Sequence, residues 1–149
     1  MSLFVILKFL HVLPVIVAVG ANLTYAFWLR AAARDRDRLI FAITTIRRLD
    51  RLVANPAYIL ILLTGVAMVL GGAYSFETGW IAVSLVLYVS VAVLGITAFA
   101  PALRRQLAEA ERDPTSQAYA AAAARSTALG LLATGIAVTI VFLMVTKPF

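Results

Sequence analysis

His11 is the only histidine in this 149-residue chain, and it lies inside an apolar run from Leu3 to Trp28. Imidazole titrates near neutral pH and ligates metals, and a group of that kind at membrane depth is costly to keep. Such a residue is a functional candidate by default. Lys8 precedes it by about one helical turn, so the run opens on a Lys-x-x-His pair. On a helix turning about 100° per residue, His11, Ala18, Asn22 and Tyr25 share one narrow sector, with Lys8 about 60° away. Facing this stripe toward other helices avoids a cost of several kcal/mol in lipid. Interhelical hydrogen bonding explains Asn22 and Tyr25, and Lys8 can snorkel to the outer surface. It explains His11 less well, because glutamine or serine would bond without titrating.

The elements that must carry this stripe follow from hydropathy. The chain is 63% hydrophobic, well above the half expected of a soluble domain, and its mean hydropathy is +0.98. Four apolar stretches, at residues 3–28, 54–74, 79–100 and 128–146, each match a hydrocarbon core of about 30 Å. They occupy nearly the whole chain and leave no room for a soluble domain, so residues 1–149 read as one integral membrane domain. The first stretch is not a signal peptide in pattern, because its lysine follows several apolar residues instead of preceding them.

The net charge of +6 reports orientation. Arg30, Arg34, Arg36, Arg38, Arg47, Arg48 and Arg51 separate the first two stretches, and Arg104, Arg105, Arg112 and Arg125 separate the last two. The connection around Glu77 carries no basic residue. The positive-inside rule then puts both arginine-rich connections in the cytoplasm and both termini outside. Nucleic acid is not expected as a partner, since no aromatic residues interleave the arginines as a stacking surface.

These connections read as helix. Leu39, Ile43, Ile46, Leu49 and Val53 recur at spacings of three or four and describe one face. Asp35 is placed to cap that helix, and Asp113-Pro114 reads as a cap followed by proline at the first helical position. The expectation is an all-α, up-down-up-down four-helix bundle, with helices near 3–33, 36–73, 78–112 and 114–146. The longer helices would project about 15–20 Å into the cytoplasm. Pro14 should loosen the first helix, and Trp28, Tyr74 and Trp80 should anchor at the membrane boundaries. Close packing would use small pairs such as Gly20 and Thr24, Ala67 and Gly71, and Ala133 and Ala137.

Chemistry within the bundle has few sources. Thr64 and Met68 lie a turn apart on the second helix, and Ser84 and Tyr88 a turn apart on the third. His11, Met68 and Ser84 share a depth about 6–8 Å outward of the segment midpoints. A His11/Met68 pair is a ligation type known for haem iron. Two histidines are unavailable within one chain, and only a second copy could supply another. A zinc site, a carboxylate pair, a nucleophilic triad and a phosphate-binding glycine loop are absent, as is cysteine.

The opening Lys8-Phe9-Leu10-His11-Val12-Leu13 resembles the first helix of HemJ-type protoporphyrinogen oxidases and of CopD-type copper-resistance membrane proteins. Ala26-Phe27-Trp28-Leu29-Arg30, Asp50, Pro56, Leu63-Thr64-Gly65 and Trp80 through Tyr88 are more similar to small four-helix bacterial integral membrane proteins of unknown function. The HemJ-type resemblance implies a haem b or porphyrin, with His11 as ligand or proton-handling group. Met68 would be a second ligand, and Lys8, Asn22 and Tyr25 would stand beside the cofactor. The chain departs from HemJ in lacking a basic residue within the third helix. Its three methionines and one histidine are fewer than copper handling would favour. An accessory or assembly subunit of a membrane complex is the alternative, and a transporter would require an oligomer. The expected location is the bacterial inner membrane.

Overall fold

In a bilayer only hydrogen-bond-saturated backbone can cross, and this sequence meets the requirement with helix. The computed structural model describes residues 2–149, and these form four helices long and apolar enough to span a membrane. They are α1 (Leu3–Ala32), α2 (Arg36–Leu70), α3 (Gly79–Arg112) and α4 (Gln117–Thr146). Short connections make consecutive helices antiparallel, so both termini lie at the end opposite the arginines. There Lys147 stands 5.2 Å from the Tyr74 ring and 5.6 Å from the Trp80 ring. Those two rings meet edge-to-face at 5.4 Å. Trp80 is buried in this cluster instead of anchoring in the headgroups as its position suggested. Trp28, by contrast, is exposed at the arginine-rich end.

Helix starts follow local chemistry. The Asp35 carboxylate accepts from the Arg38 N–H at 3.0 Å and caps α2 as expected. The start of α4 is corrected: Pro114 lies in a turn, where Thr115 N–H and Oγ1 both donate to Asp113. Ser116 is the cap, accepting from the Tyr119 N–H at 3.1 Å. Pro14 does not break α1, which stays helical on both sides of it.

The continuous helices expected for residues 36–73 and 78–112 each contain a π turn instead, at Asp50–Ala54 and Gly95–Phe99. In each, an amide bonds five residues back: Asn55 N–H to the Asp50 carbonyl, and Ala100 N–H to the Gly95 carbonyl. A proline follows each turn, Pro56 and Pro101, and neither can donate to the carbonyl four residues before it. Widening the turn lets later amides serve carbonyls that proline leaves without a donor.

The extra residue also moves the buried face. Leu39, Ile43 and Ile46 are buried as the periodicity predicts, but Leu49 and Val53 are not. The interior line instead passes through the half-buried Asp50 to the buried Ala54 and Ala57. At the arginine-rich end, Leu39, Ala42, Ile43 and Ile46 of α2 pack with Leu103, Leu107 and Ala110 of α3 and with Tyr25 and Ala32 of α1. Arg36 also donates to the Glu111 carbonyl, tying α2 to α3. Ile43→Ala should therefore cost about 2–5 kcal/mol, whereas Thr44→Ala on the exposed face should stay within about 0.5 kcal/mol. Thermal unfolding of the detergent-solubilised protein checks both.

Candidate functional site

The stripe on α1 faces the bundle and meets α2 along its length. Ala18 is fully buried, and the polar members are divided between two places. His11 Nδ1 lies 3.0 Å from Thr64 Oγ1. The Thr64 hydroxyl donates its one proton to the Leu60 carbonyl at 2.6 Å, so it accepts from His11. That arrangement corresponds to the His11 tautomer protonated at Nδ1, with the lone pair on Nε2. Gly65 lies against the same ring, where an added Cβ would stand 3.2 Å from Cε1. Met68 is buried a turn further along α2, and Lys8 is exposed with no hydrogen bond or ion pair among the described residues.

Asn22 and Tyr25 belong to a different environment. Asn22 Nδ2 donates to the Tyr58 hydroxyl at 2.6 Å, and the Tyr88 hydroxyl donates to the Tyr58 carbonyl at 2.6 Å. The second bond spans a gap, because α2 and α3 do not pack backbone to backbone between their π turns and the end of the termini. The gap is part of a cavity of about 700 Å³ that draws walls from all four helices. Its polar lining includes Asn22, Tyr25, Asp50, Tyr58, Tyr88 and Arg104, and the rest is mainly aliphatic.

Three polar groups of the lining have no partner on another helix. Tyr25 is only 6% exposed, yet its hydroxyl has no hydrogen-bond partner among the described residues. The Asp50 carboxylate is in neither of the ion pairs found among them, which join Arg38 to Asp35 and Arg112 to Glu109. Arg104 donates only to the Ala100 carbonyl of its own helix, at 3.4 Å. The cavity is also partly open at the depth of the apolar spans, where Ile59, Ile96 and Leu131 line it and are 61%, 75% and 62% exposed.

Neither His11 nor Met68 lines this cavity, and nor does Lys8. Among the described residues there is no group of three or more His, Cys, Asp or Glu able to hold a metal. The polar stripe on α1 picks out Asn22 and Tyr25, whereas Asp50 enters the sequence reading only as one residue of a resemblance and not as a site residue. The usable signal is Asp50 followed six residues later by Pro56, since proline removes a helix donor and favours a kink or π turn in the preceding turn.

Four spanning helices around a laterally open lumen define an integral membrane helical bundle, in contact with the lipid bilayer. The chain belongs to the family described as "Predicted integral membrane protein (DUF2269)", which it matches over residues 5–148. No curated protein and no solved structure matches it.

The close contact at Gly65 sets a test of the α1–α2 interface. Gly65→Leu should destabilise the bundle by about 1–3 kcal/mol, because the side chain must displace the His11 ring. A melting temperature equal to that of the unsubstituted protein would contradict this contact.

Proposed function

We propose that this protein binds an amphiphilic small molecule that enters its intramembrane cavity from the bilayer. The observation that carries the reading is the cavity itself, about 700 Å³ in volume, mainly apolar, and open between exposed lining residues. Ligand sites are typically apolar clefts of about 300–1,000 Å³ with a few placed polar groups, and this lining has that character. The π turns support the reading further, since such turns concentrate at functional sites. Asp50 opens one and Gly95, Ile96 and Phe99 of the other line the cavity. The distribution of arginines supports a bacterial inner-membrane location with the arginine-rich end in the cytoplasm.

A haem b or porphyrin, as the HemJ-type resemblance implies, is the competing ligand. His11 offers a lone pair on Nε2, but the residues present do not fit a haem held in the cavity by His11 and Met68, because neither lines it. An absorption spectrum of protein prepared with haem supplied separates the two. A Soret band lost in His11→Ala would establish the haem reading, and its absence would sink it.

The cavity reading is tested with 1-pyrenemethanol in phosphatidylcholine nanodiscs. Saturable energy transfer from tryptophan to pyrene is expected. Ala92→Phe, which fills the cavity from α3, should weaken it about tenfold or more without lowering the melting temperature. Only non-saturable partitioning, equal in protein-free nanodiscs, would overturn the reading.

A further inference from the structure

We infer that the cavity selects a zwitterionic amphiphile whose head carries a primary ammonium and a phosphate, with Asp50 and Tyr25 taking the ammonium and Arg104 the phosphate. This deepens the proposed function and rests on it. The argument starts from charge balance. Asp50 on α2, half-buried, and Arg104 on α3, exposed, line one cavity, and neither is paired with the other or with any opposite charge among the described residues. Ile46, one helical turn before Asp50, lines the same cavity, so the carboxylate borders apolar wall. A half-buried carboxylate without a partner is costly, and the exposed guanidinium is open to an anion, so a ligand that carries both charges can meet both. A purely cationic head would leave the guanidinium to solvent, and a purely anionic one would leave the carboxylate unpaired.

Tyr25 adds a second, independent pointer. Its hydroxyl is buried and unpartnered, while the neighbouring polar wall groups are satisfied: Asn22 bonds Tyr58 and Tyr88 bonds the Tyr58 carbonyl. An unmet buried hydroxyl costs about 1–3 kcal/mol unless a partner arrives. A primary ammonium has three N–H donors, so it can bond both the Asp50 carboxylate and the Tyr25 oxygen. A quaternary ammonium has none and could not. The tyrosine rings of the wall add cation–π attraction to either.

The geometry suits an amphiphile held partly in the bilayer. Asp50 and Arg104 lie toward the arginine-rich end, where a headgroup of the adjoining leaflet resides. From there the cavity runs along the gap between α2 and α3 and opens beside Ile59 and Ile96. A hydrocarbon tail can leave through that opening, so the cavity need not enclose the whole molecule.

The test titrates the purified protein in detergent with three probes of equal chain length and counts retained molecules by native mass spectrometry. The probes are lysophosphatidylethanolamine, lysophosphatidylglycerol and an alkylammonium. The zwitterion should be retained about tenfold better than either single-charge probe, the scale of one charge-assisted hydrogen bond. Asp50→Asn should lower retention of the zwitterion and the ammonium about tenfold and leave the phosphatidylglycerol analogue within about twofold. Arg104→Gln should do the reverse, weakening both phosphates and sparing the ammonium. Tyr25→Phe, which loses only the hydroxyl, should weaken both ammonium-bearing probes and gives the answer if Asp50→Asn does not fold. Equal retention of all three probes, unmoved by these substitutions while 1-pyrenemethanol still binds, overturns the headgroup proposal and leaves the cavity reading intact. Failure of every probe, 1-pyrenemethanol included, overturns both.

Discussion

The cavity depends on two prolines and the backbone they cannot satisfy. In lipid a carbonyl without a donor is costly; α1 bears this at Pro14 without leaving the α-helix, whereas two other spanning helices rearrange their hydrogen bonds at proline. Here α2 and α3 use the same solution, a π turn immediately before Asn55-Pro56 and before Ala100-Pro101. Each turn holds one residue more than an α turn, which changes both the direction of the helix and the face it presents. Toward the arginines the two helices pack through Ile43, Ile46, Leu103 and Leu107. Beyond the π turns they part, and the Tyr88 hydroxyl reaches the Tyr58 carbonyl across the space between them. The lumen is the consequence of that parting.

The two halves of the bundle are consequently held by different forces. The arginine-rich half has a packed aliphatic core of the kind water drives together, reinforced by the buried Ser126 hydroxyl donating to Gln106 at 2.6 Å. The other half lies where lipid offers no such drive and close approach and polar contacts must serve instead. There α1 and α2 meet through a small residue, Gly65 against the His11 ring, and through hydrogen bonds at Thr64 and Tyr58. At the far end Lys147, Tyr74 and Trp80 close the α2–α3 connection against the end of α4. The termini end and the arginine-rich end are thus fixed independently, which leaves the middle free to enclose space.

Much of this architecture was legible in the sequence because it rests on rules with short range. Four runs of bilayer length, the Asp35 cap and the buried stripe on α1 each follow from composition or from periods of three and four. Asp50 was not legible by the same means. Extending the period from Ile46 selects Leu49 and Val53, and only the added residue of the π turn transfers the interior line to Asp50 and Ala54. Trp80 escaped for a related reason, since it packs edge-on against Tyr74 with Lys147, 67 positions later in the chain, over its ring. Pro114 could have stood at the first position of a helix, but Thr115 offers Asp113 two donors and fixes a turn first.

The separation of His11 from the cavity alters where chemistry is to be sought. Rarity made His11 conspicuous, yet one side of its ring is engaged: Nδ1 is committed to Thr64, and Gly65 leaves no room at Cε1. A histidine so held can serve as a hydrogen-bond donor that fixes α1 against α2, which is a sufficient reason for a polar residue at that depth. The cavity, by contrast, collects three groups with no partner on another helix: a buried tyrosine hydroxyl, a half-buried carboxylate and an exposed guanidinium. None of them is unusual in sequence, and each has an ordinary explanation alone. Their convergence on one cavity is what distinguishes them, because a ligand placed there could meet all three, whereas the other buried unpartnered hydroxyl, that of Ser84, lies outside the lining.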